Sequence, residues 1–140
     1  MKRALLILFI IFVVMQFIRP NKENFVVQKE LEIKANEEVM TMLKTSCFDC
    51  HSNETVWPWY SQIAPFSWVI STHVNNGRKA LNFSIWENYT PEQKEEKTKA
   101  LFRTAYAAMP LQSYLYIHED ANLTKEQRKI IRDWTGVKSK

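Results

Sequence analysis

The chain has 140 residues, two cysteines and a formal net charge of +4, which allows one small domain with an appendage. Three basic residues and no acidic ones fall within residues 1–20, so the remaining 120 residues carry a net charge of only +1. No basic stripe stands out in that part, and we therefore predict that the protein has no nucleic-acid partner.

The first element is an apolar run at the N-terminus. After Met1-Lys2-Arg3, residues 4–18 contain Gln16 as their only polar side chain, and Arg19-Pro20 ends the run. A helix of this length measures about 22 Å, short of a bilayer core of roughly 30 Å, although flanking basic side chains extend its reach. Because no small-residue cleavage site ends the run, we interpret residues 1–20 as an uncleaved transmembrane signal-anchor rather than a removed signal peptide.

The next segment connects this anchor to a domain. Residues 21–35 alternate loosely between apolar and charged side chains, and we predict a linker there, followed by a domain at 36–140. Asn36 is a good N-cap for a first helix, and the acidic residues after it suit the positive end of the helix dipole. That helix is expected to run directly into Cys47.

The motif Cys47-Phe48-Asp49-Cys50-His51 is the attachment signature of a c-type haem. Two thiols at this spacing can add to the two vinyl groups of haem, and the adjacent histidine can reach the iron as its proximal ligand. The chain has no other cysteines, which favours this interpretation. We therefore predict one covalently attached haem c, with Cys47 and Cys50 as attachment sites and His51 as a ligand of the iron.

Two other chemistries also use cysteine pairs. A closed zinc site needs four Cys or His ligands, and only His73 and His118 remain outside the motif. A thioredoxin-like dithiol needs a strand before the motif in a βαβ unit, and the sequence predicts none there. A thiol–disulfide or metal-binding module stays open as the non-haem alternative.

Aromatic residues crowd the segment after the motif. Trp57, Trp59 and Tyr60 lie within ten residues of the motif histidine. Each alone is more often ordinary core packing, but together they indicate a large, flat, apolar ligand, so we place Trp57 and Trp59 in a haem pocket. Arg78 falls in a predicted loop at 78–86, where its guanidinium could bind a haem propionate; a solvated side chain is the alternative.

Three further helices are predicted downstream, at about 65–77, 90–108 and 124–136. Gly77 is expected to end the first of them in a left-handed conformation. Thr90 and Thr124 each begin a capping box with the glutamine three residues later. Since no strand pattern or internal repeat intervenes, the predicted fold class is all-α, a small cytochrome c-like helical domain behind the N-terminal transmembrane helix.

The distal ligand of the iron is predicted from its place in the chain. Met109 lies 58 residues beyond His51 and directly before Pro110, which stiffens the segment that presents the sulfur. Two other methionines lie on the helix that leads into the motif, from which the chain would have to double back. We favour Met109, with His73, His118 or an open site as alternatives.

These residues resemble two known families. The motif, the distant Met109-Pro110 and a C-terminal helix with an aromatic residue are similar to a small class I cytochrome c. A longer combination, over roughly residues 36–136, more closely resembles a bacterial haem-binding domain family: Cys47–Thr55, Trp57-Pro58-Trp59-Tyr60, Ile63-Ala64-Pro65, Leu81-Asn82-Phe83-Ser84, Ala108-Met109-Pro110-Leu111 and Tyr114. The resemblance implies covalent haem on the two cysteines, His51 as proximal ligand and Met109 opposite. The chain departs from small cytochromes in having only two glycines.

Function is inferred from this ligation. An iron held between histidine and methionine leaves no place for a substrate, so we predict single-electron transfer and no enzymatic activity. Since haem attachment takes place outside the cytoplasm, we expect an inner-membrane protein with its domain in the periplasm and redox partners in a respiratory or peroxidase system. A haem-based sensor or small-ligand binder and a haem peroxidase are the alternatives.

Overall fold

The computed structural model describes residues 1–138, and every regular element in that range is helical, which confirms the all-α fold class. The α-helices are α1 (Lys2–Met15), α2 (Glu37–Ser46), α3 (Phe48–His51), α4 (Phe66–Ala80), α5 (Pro91–Ala107), α6 (Gln112–Leu115) and α7 (Lys125–Trp134). Short 3-10 turns lie at Lys29–Leu31, Trp59–Gln62, Phe83–Asn88 and Glu119–Ala121. The last two residues of the predicted 36–140 domain lie outside the described residues.

The predicted helix starts are confirmed by their capping bonds. The Asn36 side chain accepts a 2.9 Å hydrogen bond from the Val39 N–H, which begins α2. Thr90 and Thr124 each form a complete capping box, because the threonine hydroxyl and the glutamine three residues later both accept backbone N–H groups. These bonds satisfy donors that a helix N-terminus leaves without partners.

Helix α2 is shared by two apolar clusters. It contributes Met42 to a cluster with α5 and α7, made of Met42, Leu101, Ala105, Leu123 and Ile131. Its Val39 and Leu43 enter a second cluster, made of Ile33, Val39, Leu43, Phe48, Leu81 and Phe83. Because both clusters bury side chains of α2, the position of Cys47 at its C-terminal end is fixed by the core of the domain.

Helix α4 continues through the predicted stop at Gly77 and ends at Ala80. The predicted left-handed glycine is wrong, since only Gly136 has a positive φ within the described residues. A Cβ atom on Gly77 would lie 2.3 Å from the carbonyl oxygen of Cys50. The glycine therefore permits close packing inside a helix rather than a cap, and Arg78 lies on α4 rather than in the predicted loop.

The N-terminal helix stands apart from this core. None of the fourteen residues of α1 is buried. Among residues 1–138 no helix is both long enough and apolar enough to cross a membrane, so the predicted transmembrane helix is not confirmed. The segment at 21–35, predicted as a linker, is bonded to the domain near both of its ends. Lys22 donates a 3.0 Å hydrogen bond to the carbonyl of Ser61, and the buried Ile33 donates a 2.9 Å backbone hydrogen bond to the carbonyl of Phe83.

Ile131 offers a test of the core. It has no exposed surface, so Ile131→Ala removes buried methyl groups and leaves a cavity, and we expect a loss of about 2–5 kcal/mol in unfolding free energy. Urea unfolding followed by circular dichroism measures this loss. Ile117→Ala, at a position 61% exposed, is the matched control and is expected to change stability by about 0.5 kcal/mol or less; equal losses in both would contradict the assigned core.

Candidate functional site

The Cys-x-x-Cys-His motif forms a single helical turn. Cys47 caps the end of α2, and the His51 N–H donates a 2.9 Å hydrogen bond to the Cys47 carbonyl across α3. Residues three and four apart lie on one face of a helix, so this turn brings Cys47, Cys50 and His51 to the same side. Both cysteines are half-buried free thiols.

The surroundings of the thiols keep them protonated. Burial, with the neighbouring Cys50 adding to it, raises the pKa of Cys47 to about 12. Burial, followed by the negative charge of Asp49, raises the pKa of Cys50 to about 11. Dithiol oxidoreductases depend on a thiol whose pKa is lowered, so this environment is the opposite of the one that thiol–disulfide exchange requires.

His51 is held in one orientation by a backbone carbonyl. Its Nδ1 lies 3.0 Å from the carbonyl oxygen of Leu81, the residue that caps α4. A carbonyl can only accept, so Nδ1 carries the proton and Nε2 is left with a free lone pair. Burial lowers the pKa of His51, against the opposing effect of the Leu81 and Gly77 carbonyls. The imidazole is therefore neutral at pH 7, which is the form that binds metals.

Helix α4 lies directly against this turn. Its buried face consists of small side chains at helical spacing, Ser67, Ser71 and Val74. Gly77 continues the row three residues later, and there the backbone of α4 meets the backbone of Cys50. Any side chain at position 77 would push the turn that carries the thiols and the imidazole away from α4.

Arg78 joins three separate segments around the motif. Its Nε donates a 2.7 Å hydrogen bond to the carbonyl of Ser52, and one terminal nitrogen donates to the hydroxyl of Thr55 at 2.9 Å. The guanidinium also donates to the carbonyl of Glu23 at 2.9 Å and to the side chain of Asn24 at 2.7 Å. Arg78 thus ties the segment after the motif to the segment that follows α1.

A buried polar cluster fixes the residues just after His51. Asn82 donates a 2.8 Å hydrogen bond to the side chain of Asn53, and the hydroxyl of Ser84 accepts the N–H of Asn53 at 3.0 Å. The Asn82 side chain in turn accepts the N–H of Ser84 at 3.0 Å. All three residues are at least nine-tenths buried. These bonds satisfy the polar groups that burial would otherwise leave costly.

Asp49, between the two cysteines, organises the opposite side of the motif. One carboxylate oxygen accepts the N–H of Val56 at 2.9 Å, and the other accepts the hydroxyl of Tyr114 at 2.8 Å. Burial, followed by this bond to Asp49, raises the pKa of Tyr114, so the phenol remains a donor at neutral pH. Asp49 thereby holds α6 beside the motif.

Tyr114 continues into an aromatic cluster. Its ring stacks on that of His118, with centroids 4.2 Å apart and ring planes 10° apart. Nε2 of His118 and the hydroxyl of Tyr60 form a 2.7 Å hydrogen bond. His118 is thus brought near the motif through Tyr114, with one of its ring nitrogens already engaged.

Met109 lies half-buried in the turn between α5 and α6. Arg128 of α7 donates 2.6 Å and 2.5 Å hydrogen bonds to the carbonyls of Ala105 and Met109. The positive charge of Arg128 also acts on Cys47, where it offsets part of the rise in the thiol pKa. Arg128 therefore fixes the backbone that presents Met109.

The remaining predicted site residues occupy different environments. His73 is an exposed residue of α4. Trp57 is half-buried, and its indole N–H is buried without a hydrogen-bond partner among the described residues. Trp59 is 75% exposed and makes an edge contact with Tyr60 at 5.8 Å between ring centroids.

Sequence reasoning missed several residues that shape the site. Gly77, Asp49, Tyr114 and Arg128 act through tertiary contacts that no local pattern reveals. The signal that could have found two of them was their place within the family-like combination, where Asp49 sits inside the motif and Tyr114 follows Met109. Within residues 1–138 no group of three or more His, Cys, Asp or Glu side chains is placed to hold a metal ion directly.

Fold and site together define a small all-α domain built around a Cys-x-x-Cys-His turn. The chain belongs to the haem-binding domain family, whose sequence model matches residues 10–136. No curated protein and no solved structure gave a match. The donor set of the site fits this ligand, because two free thiols and a neutral imidazole with a free Nε2 share one helical turn.

Gly77→Ala tests the contact between α4 and the motif. The added methyl group would lie 2.3 Å from a backbone oxygen, so the turn must move, and we expect a loss of about 1–3 kcal/mol in unfolding free energy together with reduced haem content. Thermal unfolding and the haem-to-protein absorbance ratio measure both effects. Asn76→Ala, at the exposed neighbouring position, should leave both unchanged, and a fully stable Gly77→Ala protein with full haem content would refute the contact.

The thiol environment is tested by alkylation of the haem-free protein with iodoacetamide across pH 7–12. Because burial raises both pKa values, the rates should climb only above about pH 10 and at pH 8 should be roughly a hundredfold or more below those of the urea-unfolded chain. A folded-state titration midpoint at or below pH 8 would instead favour a dithiol function.

Proposed function

We propose that the protein is a membrane-anchored c-type cytochrome that carries one covalently attached haem and transfers single electrons. The observation that carries this proposal is the turn at residues 47–51, in which two thiols and an imidazole share one face and Leu81 fixes the imidazole tautomer. A second-sphere bond of this kind is typical of histidines that bind metals, because it orients the ring and raises its basicity.

Each residue of the turn has a separate task. Cys47 and Cys50 would hold haem through thioether bonds, and His51 would bind the iron through Nε2. The iron of bound haem supplies one-electron chemistry. The raised thiol pKa values weigh against the dithiol alternative, since thiol–disulfide exchange depends on a thiol whose pKa is lowered.

Met109 is the proposed distal ligand. Arg128 supports it by holding the Met109 carbonyl, and the charge of Arg128 also acts on the Cys47 thiol. A thioether opposite an imidazole raises the reduction potential and closes the iron to substrates, which suits a carrier of electrons better than an oxidase or peroxidase. A sensor or a peroxidase would instead need this position open or weakly held.

Two tryptophans and an arginine complete the proposed pocket. Trp57 keeps its proposed place in the pocket because its ring is half-buried six residues beyond His51. Arg78 already donates to four oxygen atoms, so we assign it chiefly to holding the segment after the motif. Trp59, being mostly exposed, is better placed to meet a redox partner.

We place the domain in the periplasm, tethered to the inner membrane by α1, with partners in a respiratory or peroxidase system. The apolar character of α1 supports the tether, since none of its residues is buried. Attachment of haem to thiols outside the cytoplasm supports the orientation.

Absorption spectra of the full chain, expressed with haem-attachment machinery, test the proposal. We expect sharp bands in the reduced protein and haem that stays with the polypeptide on denaturation. Replacing both Cys47 and Cys50 with Ala should abolish the covalent haem. A wild-type protein that contains no haem would refute the proposal and favour the non-haem alternatives.

Met109→Leu tests the distal ligand. We expect loss of the weak far-red absorption band of methionine-bound ferric iron, a lower reduction potential and new binding of carbon monoxide, because a leucine of similar size cannot bind iron. Met40→Leu, on α2, is the matched control and should keep the band. Ready binding of carbon monoxide by the wild type would favour the sensor or peroxidase.

A further inference from the structure

The surface next to the end of α1 is apolar and exposed. Five large apolar side chains there are each at least 37% exposed, and we call them the exit patch: Phe17, Ile18, Ile63, Phe66 and Val69. Two of them follow α1 directly, and three belong to the segment between the motif and the middle of α4. Exposed apolar surface of this kind commonly marks a binding surface.

Hydrogen bonds hold the end of α1 to this part of the domain. The amide of Gln16 both donates to the carbonyl of Ala64 at 3.3 Å and accepts its N–H at 2.9 Å. The indole N–H of Trp68 donates to the carbonyl of Ile18 at 2.8 Å. These bonds hold Gln16, the only polar side chain in the apolar run, against the domain. Helix α1 therefore leaves the domain beside the exit patch.

Two residues of the exit patch lie on the same outward side of α4. Phe66 and Val69 are three residues apart on α4, so they lie on the same side of its first turns. The side of α4 that faces the interior carries Ser67, Ser71 and Val74 instead. The apolar surface is thus directed away from the core and toward the end of α1.

Helix α1 is shorter than the hydrocarbon core of the bilayer that it is proposed to enter. Fourteen helical residues extend about 21 Å, whereas the hydrocarbon core of a bilayer is roughly 30 Å thick. A short apolar segment is accommodated by thinning the bilayer or by drawing flanking groups into it. Apolar side chains on the domain at the end of α1 can supply part of the missing depth.

Cations lie beside this face. Arg19 donates to the carbonyl of Gln62 at 2.8 Å, and Lys22 donates to the carbonyl of Ser61 at 3.0 Å. Neither cation forms an ion pair within residues 1–138. Positive charges at the border of an apolar face match the negative surface of a bilayer that contains anionic phospholipids.

We propose that the exit patch lies in the interface of the bilayer that holds α1, with Arg19 and Lys22 facing anionic headgroups. This inference rests on the proposed membrane attachment and goes beyond it, because it assigns the domain a membrane-facing surface. The domain is then held against the bilayer in one orientation rather than tethered at a distance.

Photocrosslinking of the full chain in vesicles of phosphatidylethanolamine and phosphatidylglycerol tests this. The crosslinker p-benzoylphenylalanine replaces one aromatic residue at a time: Phe9 within α1, Phe66 in the exit patch, or Tyr106 on α5. Tyr106 is 62% exposed and contacts Arg132 of α7, so it is the matched control outside the patch. Mass spectrometry then counts the lipid adducts at each position.

Lipid adducts at Phe9 and Phe66, with at least fivefold fewer at Tyr106, support the inference. Adducts at Phe9 with equal, low counts at Phe66 and Tyr106 overturn the docked orientation but leave the membrane attachment standing. Equal, high counts at Phe66 and Tyr106 also overturn the docked orientation, because lipid would then contact the domain without preference for the exit patch. Absence of adducts at Phe9 refutes the attachment itself and the inference with it.

Charge substitution provides a second measurement. Phe66→Glu combined with Val69→Glu should lower the number of lipid adducts formed by p-benzoylphenylalanine at position 63 by about fivefold or more, because two apolar side chains no longer favour the bilayer interface. Adducts at Phe9 should stay unchanged, since α1 still holds the chain in the vesicle. Tyr106→Glu should change the adducts at position 63 by less than about twofold. Circular dichroism should show a folded protein in each case, and unchanged adducts at position 63 in the double variant would contradict the proposal.

Discussion

The site depends on the contact between the backbone of Gly77 and the carbonyl of Cys50, which leaves no room for a side chain. Because α4 lies this close to the motif, its C-terminal cap Leu81 reaches the ring of His51. The next residue of the helix, Arg78, is carried within reach of the segment that follows the motif. One position without a Cβ atom thus sets the orientation of the imidazole and the path of the chain beyond it.

Hydrogen bonds, more than apolar packing, hold the chain after the motif in place. Asn53, Asn82 and Ser84 are buried and bonded to one another. A buried polar group left without a partner costs about 1–3 kcal/mol, so a partly formed cluster would be worse than none. The stretch that contains Asn53 and the stretch that contains Asn82 and Ser84 are separated by some thirty residues. This requirement explains why both occur in the family-like combination, because each supplies hydrogen-bond partners for the other.

The features predicted correctly from the sequence are those that depend on residues close together in the chain. Helix starts at Asn36, Thr90 and Thr124 follow from side-chain capping bonds within four residues, and the haem-binding family follows from a contiguous motif with its surroundings. The stop at Gly77 was predicted wrongly because glycine serves both left-handed caps and close helix contacts, and only the tertiary partner distinguishes them. The inward face of α4 carries serines, so hydrophobic periodicity gave no sign of how the helix packs. The contact between Arg128 and the Met109 carbonyl spans 19 residues and lies beyond any local rule.

Hydrogen bonds hold the end of α1 and the Cys-x-x-Cys-His turn to the same part of the domain. The segment after α1 is bonded to the residues before α4 through Gln16 and Arg19, and Arg78 joins its continuation at residues 23–24 to the turn that follows the motif. A carrier that swings between distant partners needs a free linker, whereas here the chain from residue 16 to 24 is bonded along the domain. Under the proposed function, electrons would therefore pass to partners that approach the fixed domain by diffusion in or along the membrane. The exposed surface at Trp59, rather than movement of the tether, would then set which partner is accepted.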